Sequence, residues 1–181
     1  INLKKKLVEY KKYQPDFISV TYGAGGSTRE NTHTMASYIK NELDIEAMAH
    51  LTCVSHTRSE IHHVLDELEN ANIENIMALR GDSPQGEAHF TPPENGFAYA
   101  SELIETLVER QGFGIGAAAY PEGHLETPDA EVHFQHLLQK IDAGTEFLVT
   151  QFFLVNDLFL KWRDRLARHK VSIPIIPGIL P

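Results

Sequence analysis

The feature that most constrains this chain is a repeated switch between short runs of β-branched or aromatic residues and longer stretches with helical spacing. Six candidate strands stand out: Phe17 to Thr21, Glu46 to Val54, Asn75 to Arg80, Gly114 to Ala119, Phe147 to Phe152 and Ile173 to Ile176. Five helical patterns lie between them. Ser27 with Glu30, and Thr57 with Glu60, fit the S/T-x-x-E capping box, in which hydroxyl and carboxylate satisfy reciprocal orphan amides. Pro128-Asp129 opens another helix, and Gly144 after Asp142-Ala143 is an expected stop.

Alternation at intervals of about 26 to 39 residues implies parallel strands joined by right-handed crossovers. The sheet is then either open and doubly wound or closed as a (β/α)8 barrel. Length favours the open sheet, because a full barrel takes ~250 residues and this chain has 181. The polar residues point the other way. Nearly every strand ends in groups able to do chemistry: Thr21-Tyr22, His50 and Thr52, Arg80-Gly81-Asp82, Tyr120-Pro121-Glu122 with His124, and Gln151. An open sheet collects its ligand at one switch point, so groups on five successive strand ends converge only if the sheet curls round. We therefore read an α/β chain of about six units of a (β/α)8 TIM barrel, one partial catalytic domain over residues 1–181. The remaining units are expected to lie outside this chain.

Composition excludes several classes. With 42% hydrophobic and 23% charged residues, a core is affordable without disulfides or metals. The formal net charge of −9 argues against nucleic-acid and anionic-membrane partners, because phosphate affinity comes from clustered Lys and Arg. Lys4, Lys5, Lys6, Lys11 and Lys12 form the only basic cluster and read as the wet face of a helix. The single Cys53 excludes an intrachain disulfide and reads as a small buried hydrophobe, with a reducing, cytoplasmic setting as the expectation. No apolar run approaches the ~18 residues that span a bilayer, and no signal peptide opens the chain. The first residue is Ile1 rather than Met, so further sequence is expected in front.

Several motifs carry chemistry beside a plainer reading. Tyr22-Gly23-Ala24-Gly25-Gly26-Ser27 resembles a phosphate cradle between strand and helix, but Thr28 replaces the third glycine of the dinucleotide fingerprint and the P-loop ending is missing. Taken alone, a tight structural turn is the favoured reading, since Gly is the default residue wherever φ must be positive. Leu79-Arg80-Gly81-Asp82 sets two charges at a strand mouth, either as a salt bridge and turn cap or as a catalytic and cofactor-binding pair. Ten histidines invite a metal, yet no His-Glu-x-x-His occurs, and the pairs His62-His63 and His133/His136 have no carboxylate or cysteine at ligand spacing. No metal site is expected. His56, His62, His63, His89 and His169 read as solvated or loop residues, whereas His50 and His124 stand at strand ends. Leu158, Leu160, Trp162 and Leu166 read as the core face of the last helix. Ser83 to Asn95, with four prolines and glycines before Asn95, is a candidate lid.

Six segments in order, Ile18 to Gly25, His50-Leu51-Thr52-Cys53, Ala78-Leu79-Arg80-Gly81-Asp82, Ala119-Tyr120-Pro121-Glu122-Gly123-His124, Thr150-Gln151-Phe152-Phe153 and Ile176-Pro177-Gly178-Ile179-Leu180-Pro181, resemble methylenetetrahydrofolate reductases over essentially the whole chain. That resemblance implies a (β/α)8 barrel holding FAD noncovalently, with NADH or NADPH as electron donor and 5,10-methylenetetrahydrofolate as acceptor, the two taking turns at the flavin. Position by position, it makes Thr21, Tyr22, Ala24, His50, Arg80, Gly81, Asp82, Ala100, Tyr120, His124 and Lys140 flavin contacts, with His136 beside the phosphates. Gln151 becomes a folate-binding residue, and Asp82 the carboxylate that serves flavin and folate together. Gln139 departs from the basic residue of some members. The family's general acid, a glutamate on the first barrel strand, would precede Ile1, so activity is expected of a longer polypeptide, and a homo-oligomer is expected. Two rival readings stay open on residues alone: a metal-dependent barrel hydrolase using His50 and His124, and a catalytically silent barrel that binds flavin or folate.

Overall fold

A computed structural model describes residues 3–22, 29–82 and 90–180. In chain order they form α1 (Leu3–Tyr10), β1 (Phe17–Val20), α2 (Arg29–Ser37), β2 (Glu46–Thr52), α3 (Arg58–Asn70), β3 (Asn75–Leu79), α4 (Ala100–Arg110), β4 (Gly114–Ala119), α5 (Ala130–Asp142), β5 (Phe147–Thr150), α6 (Asn156–Arg168) and β6 (Ile175–Ile176). The six strands form one sheet in the order of the sequence, each parallel to the next. A doubly wound sheet reverses its strand order at the switch point. This one never reverses, and it is a curled partial (β/α)8 barrel.

Strand parity explains the layering. Ala47, Ala49, Leu51 and Cys53 of the β2 segment, Ile76 and Ala78 of β3, Ile115, Ala117 and Ala119 of β4, and Leu148 of β5 belong to one buried cluster. The same cluster takes Leu7 from α1, Ile39 from the π turn that extends α2, Ile61 and Leu65 from α3, Leu103 and Leu107 from α4, Phe134 and Leu137 from α5, and Trp162 and Leu166 from α6. All the helices thus cover one face. Residues of the opposite parity, such as Met48, His50, Thr52, Met77, Gly116, Tyr120 and Gln151, fall to the concave face. Gly116 is required there, because a Cβ would come within 2.6 Å of the Phe147 ring on the neighbouring strand.

Local chemistry sets the boundaries. Thr57 and Glu60 form the expected capping box at the start of α3. Asp129 caps α5 by accepting from the N–H groups of Glu131 and Val132 at 2.9 and 3.0 Å. Gly144 ends the turn after α5 at φ +119°. The Ser27 capping box and the Gly23–Ser27 turn lie outside the described residues, as does the Ser83–His89 part of the long loop.

Some expectations need correction. β1, β2, β3 and β5 end one or two residues early, at Val20, Thr52, Leu79 and Thr150, where the chain turns out of the ladder toward the barrel mouth. β6 begins only after Pro174, which has no N–H to donate, although its carbonyl accepts from Leu148 at 2.9 Å. Leu158 and Leu160 are each 42% exposed, not core. Phe159 takes the place instead by stacking on Phe153 at 4.6 Å, so the buried stripe of α6 runs Phe159, Trp162, Leu166. His56 is buried rather than solvated. Its Nδ1 bonds to the Val54 carbonyl at 2.5 Å and its Nε2 to the Tyr22 hydroxyl at 3.0 Å. Two acceptor-donor partners of that kind fix the ring as the Nδ1–H tautomer.

Candidate functional site

A cavity of about 360 Å³ opens at the C-terminal ends of β2, β3 and β4, under the N-terminus of α4 and beside α5. Its floor is apolar, from Ala78, Leu79, Ala118, Ala119 and Leu137. Its rim is polar. Tyr22, Arg80, Gly81, Asp82, Ala100, Tyr120, His124, His136 and Lys140, all singled out by sequence, line it together.

Each is positioned by a local device. Gly81 adopts φ +88°, a conformation that other residues take only under strain, and a Cβ would meet Val54 Cγ1 at 2.7 Å. That turn throws Arg80 and Asp82 to either side of the β3 mouth. Arg80 donates from Nε to the Gly81 carbonyl at 3.1 Å, pairs with the Glu126 carboxylate, and lies 5.0 Å above the Phe90 ring. The salt-bridge reading of Arg80 and its place at the cavity therefore hold together. Tyr120 meets His124 edge-on at 4.7 Å, and His124 stacks over His133 at 6.4 Å. The Glu126 N–H donates to His124 Nδ1 at 3.2 Å, which leaves the proton of the neutral ring on Nε2 as a donor.

Burial shifts the titrating groups at the rim toward their neutral forms. Lys140 reaches from α5 to donate to the Ala118 carbonyl, and burial pushes its ammonium down to about 8. His133 is held below its ordinary value, first by burial and then by Lys140. Burial, then the Asp82 carboxylate, pushes the Tyr120 phenol up. The N-terminal residues of α4, Tyr99 to Ser101, add their end of the helix dipole to the wall. The Thr52 hydroxyl, also in the wall, is buried with no hydrogen-bond partner.

Not every candidate joins this cavity. Thr21 lines a second hollow of about 480 Å³ beneath α1, with Leu7, Tyr10 and Ile18. It follows Val20, which is in register with Ala49, so the ladder sets Thr21 beside His50. His50 is half-buried on the concave face, where burial lowers its pKa and keeps it neutral. Gln151 is exposed beyond β5; its N–H donates to the Ala119 carbonyl at 2.7 Å, and its own side-chain oxygen accepts from Phe152 at 3.0 Å. Ala24 lies outside the described residues. Thr52, read from sequence only as a polar strand end, lines the cavity too, and Tyr99, Thr127 and His133 do so without having been singled out for it. His133, His136 and Lys140 repeat at i, i+3 and i+7 on α5, a signal readable from sequence. Among the described residues no three His, Cys, Asp or Glu side chains converge to hold a metal ion.

The methylenetetrahydrofolate reductase family model matches residues 1–181. The chain belongs to the methylenetetrahydrofolate reductase family. It is 38% identical over 191 residues to methylenetetrahydrofolate reductase (NADH) 1 of Arabidopsis thaliana, covering 99% of this chain and 32% of that one. It is 41% identical over 168 residues to the 5,10-methylenetetrahydrofolate reductase of Salmonella typhimurium, covering 93% of this chain and 55% of that one. The chain thus spans a third to about half of these curated relatives. Among solved structures, a 2,3-dimethylmalate lyase of the PEP mutase/isocitrate lyase superfamily superposes with a TM-score of 0.65 at 11% identity, covering 96% of this chain and 64% of that one. At that identity the likeness concerns the fold alone. For this reductase-family chain it supports the barrel reading of the sheet.

Proposed function

We propose that this chain is the flavin-binding part of an enzyme that reduces 5,10-methylenetetrahydrofolate to 5-methyltetrahydrofolate with electrons from NADH or NADPH. The single observation that carries the reading is the cavity itself. Among the described residues, an apolar floor, a buried Lys140, Arg80 and three histidines surround a space with one carboxylate, Asp82, at its edge. That donor set fits a flat aromatic ring joined to phosphates. FAD, when bound, supplies reversible hydride acceptance and donation, and the protein supplies orientation and electrostatics.

The residues divide the work. Lys140, His136 and His124 would donate hydrogen bonds to the phosphates, with the α4 N-terminus beside them. Leu79, Ala118 and Tyr120 line the cavity, would hold the flat ring and would keep water from it. Asp82 places a negative charge at the mouth, where it favours a cationic form of the folate, the electrophile that accepts hydride. Gln151, one strand further round, is proposed to hold the folate ring, and Thr21 and His50 to close the flavin site from the β1 side.

Anaerobic mixing of the full-length protein with NADH, then with methylenetetrahydrofolate, tests the reading. The yellow flavin absorbance is expected to bleach and then recover. Absence of bleaching with NADH and NADPH alike, or a bound metal without flavin, refutes it.

A further inference from the structure

The Tyr-Pro-Glu-Gly-His turn after β4 contains one charged side chain that none of the roles above uses, Glu122. Its Oε1 accepts hydrogen bonds from the backbone N–H groups of Leu154 at 3.0 Å and Val155 at 2.8 Å, 32 and 33 residues away in the chain. The second of these amides belongs to the N-cap of α6 and the first to the residue before it. The N-cap of α6 is Val155, which has no side-chain acceptor and makes no cap of its own. The first N–H groups of a helix have no intrahelical partner, and the positive end of its dipole favours a carboxylate. Glu122 therefore caps α6 from the neighbouring barrel unit.

We propose that Glu122 is a positioning residue that fixes the Gln151 segment relative to the turn bearing Tyr120 and His124. The segment is tied at both ends to the β4 unit. At its start the Gln151 N–H donates to the Ala119 carbonyl at 2.7 Å, and at its end Glu122 holds Leu154 and Val155. Between them Phe153 stacks on Phe159 of α6, so a shift of the helix start carries the whole segment with it. On the other side, the Gly123 N–H donates to the Tyr120 carbonyl at 3.0 Å, closing the turn that aims the Glu122 carboxylate. One side chain thus joins the residues assigned to flavin, Tyr120 and His124, to the residue assigned to folate, Gln151. The functional half of the inference rests on the reading given above; the capping half does not.

Glu122→Ala and Glu122→Gln in the full-length protein test it. Hydrogen exchange at the Leu154 and Val155 amides is expected to quicken by at least about tenfold in E122A, the scale of one charge-assisted hydrogen bond. E122Q keeps an accepting oxygen, and its exchange is expected within about threefold of wild type. In the flavin-loaded protein, the KM for methylenetetrahydrofolate is expected to rise about tenfold in E122A, with FAD affinity and the nicotinamide half-reaction changed less than about twofold. Unchanged exchange overturns the cap. Faster exchange with an unchanged folate KM, or equal losses in flavin and folate binding, overturns the positioning role. A wild-type protein that shows no flavin reaction sinks the functional reading alone, since the exchange measurement still decides whether Glu122 holds α6.

Discussion

Replacing Lys140 by Met should make the flavin-free protein more stable while weakening its grip on an anionic ligand. Burial lowers the Lys140 ammonium from 10.5 to about 8. A proton held that much less tightly in the folded state costs about 3 kcal/mol at neutral pH, at about 1.4 kcal/mol per decade. Against this, the Lys140 Nζ donates to the Ala118 carbonyl, and its loss costs about 1 kcal/mol. The net gain in K140M is then about 2 kcal/mol at pH 7. The sign follows from linkage. The unfolded state holds more protons than the folded state between the two pKa values, so the wild-type penalty is full below pH 8 and relaxes as pH rises toward 10.5. Urea denaturation of flavin-free wild type and K140M at pH 7 and pH 10 measures it, with the advantage of the variant shrinking at the higher pH. A bound phosphate restores the ammonium, so wild type should also take up about half a proton per ligand near pH 8, seen by calorimetry in buffers of different ionisation enthalpy, and K140M none. A K140M protein less stable than wild type at pH 7 would refute the reasoning, because Lys140 would then act chiefly as a strut to the sheet.

Three further outcomes are expected. Asp82→Asn should leave FAD affinity within about threefold yet slow folate reduction far more than flavin reduction by nicotinamide, since a charge ~5 Å away at an effective dielectric of ~20 is worth at most about 3 kcal/mol; equal losses in both half-reactions count against it. Gly81→Ala combines a left-handed φ with a Cβ 2.7 Å from Val54 Cγ1, and should cost about 2 to 4 kcal/mol in urea denaturation; a loss below about 1 kcal/mol would show that the turn relaxes freely. The Cys53 thiol, pushed up to about 12 first by burial and then by Glu102, should resist iodoacetamide at pH 8 until denaturant is added; prompt labelling of the native protein would contradict its burial.

The strands were legible because each is a short apolar or β-branched run. Their ends were not, since a run such as Asn75 to Arg80 does not record where the ladder stops. The cluster of Arg80, Asp82, Tyr120 and His124 could be read from polar residues at strand ends, because a curled parallel sheet brings those ends together. His56 could not, because its burial depends on a hydroxyl from Tyr22, 34 residues earlier. Phe159 displaced Leu158 from the core for a similar reason: stacking on Phe153 is a choice between two apolar residues that periodicity leaves equal.

His133, His136 and Lys140 all stand on α5, while the sheet beneath contributes mostly hydrocarbon and backbone. Successive helical residues are about 100° apart. Inserting one residue at the start of that helix would therefore swing Lys140 and both histidines away from the mouth, and Phe134 and Leu137 out of the core with them. The phosphate contacts proposed for this cavity thus depend on the rotational setting of one helix, a setting that its own core residues Phe134 and Leu137 fix.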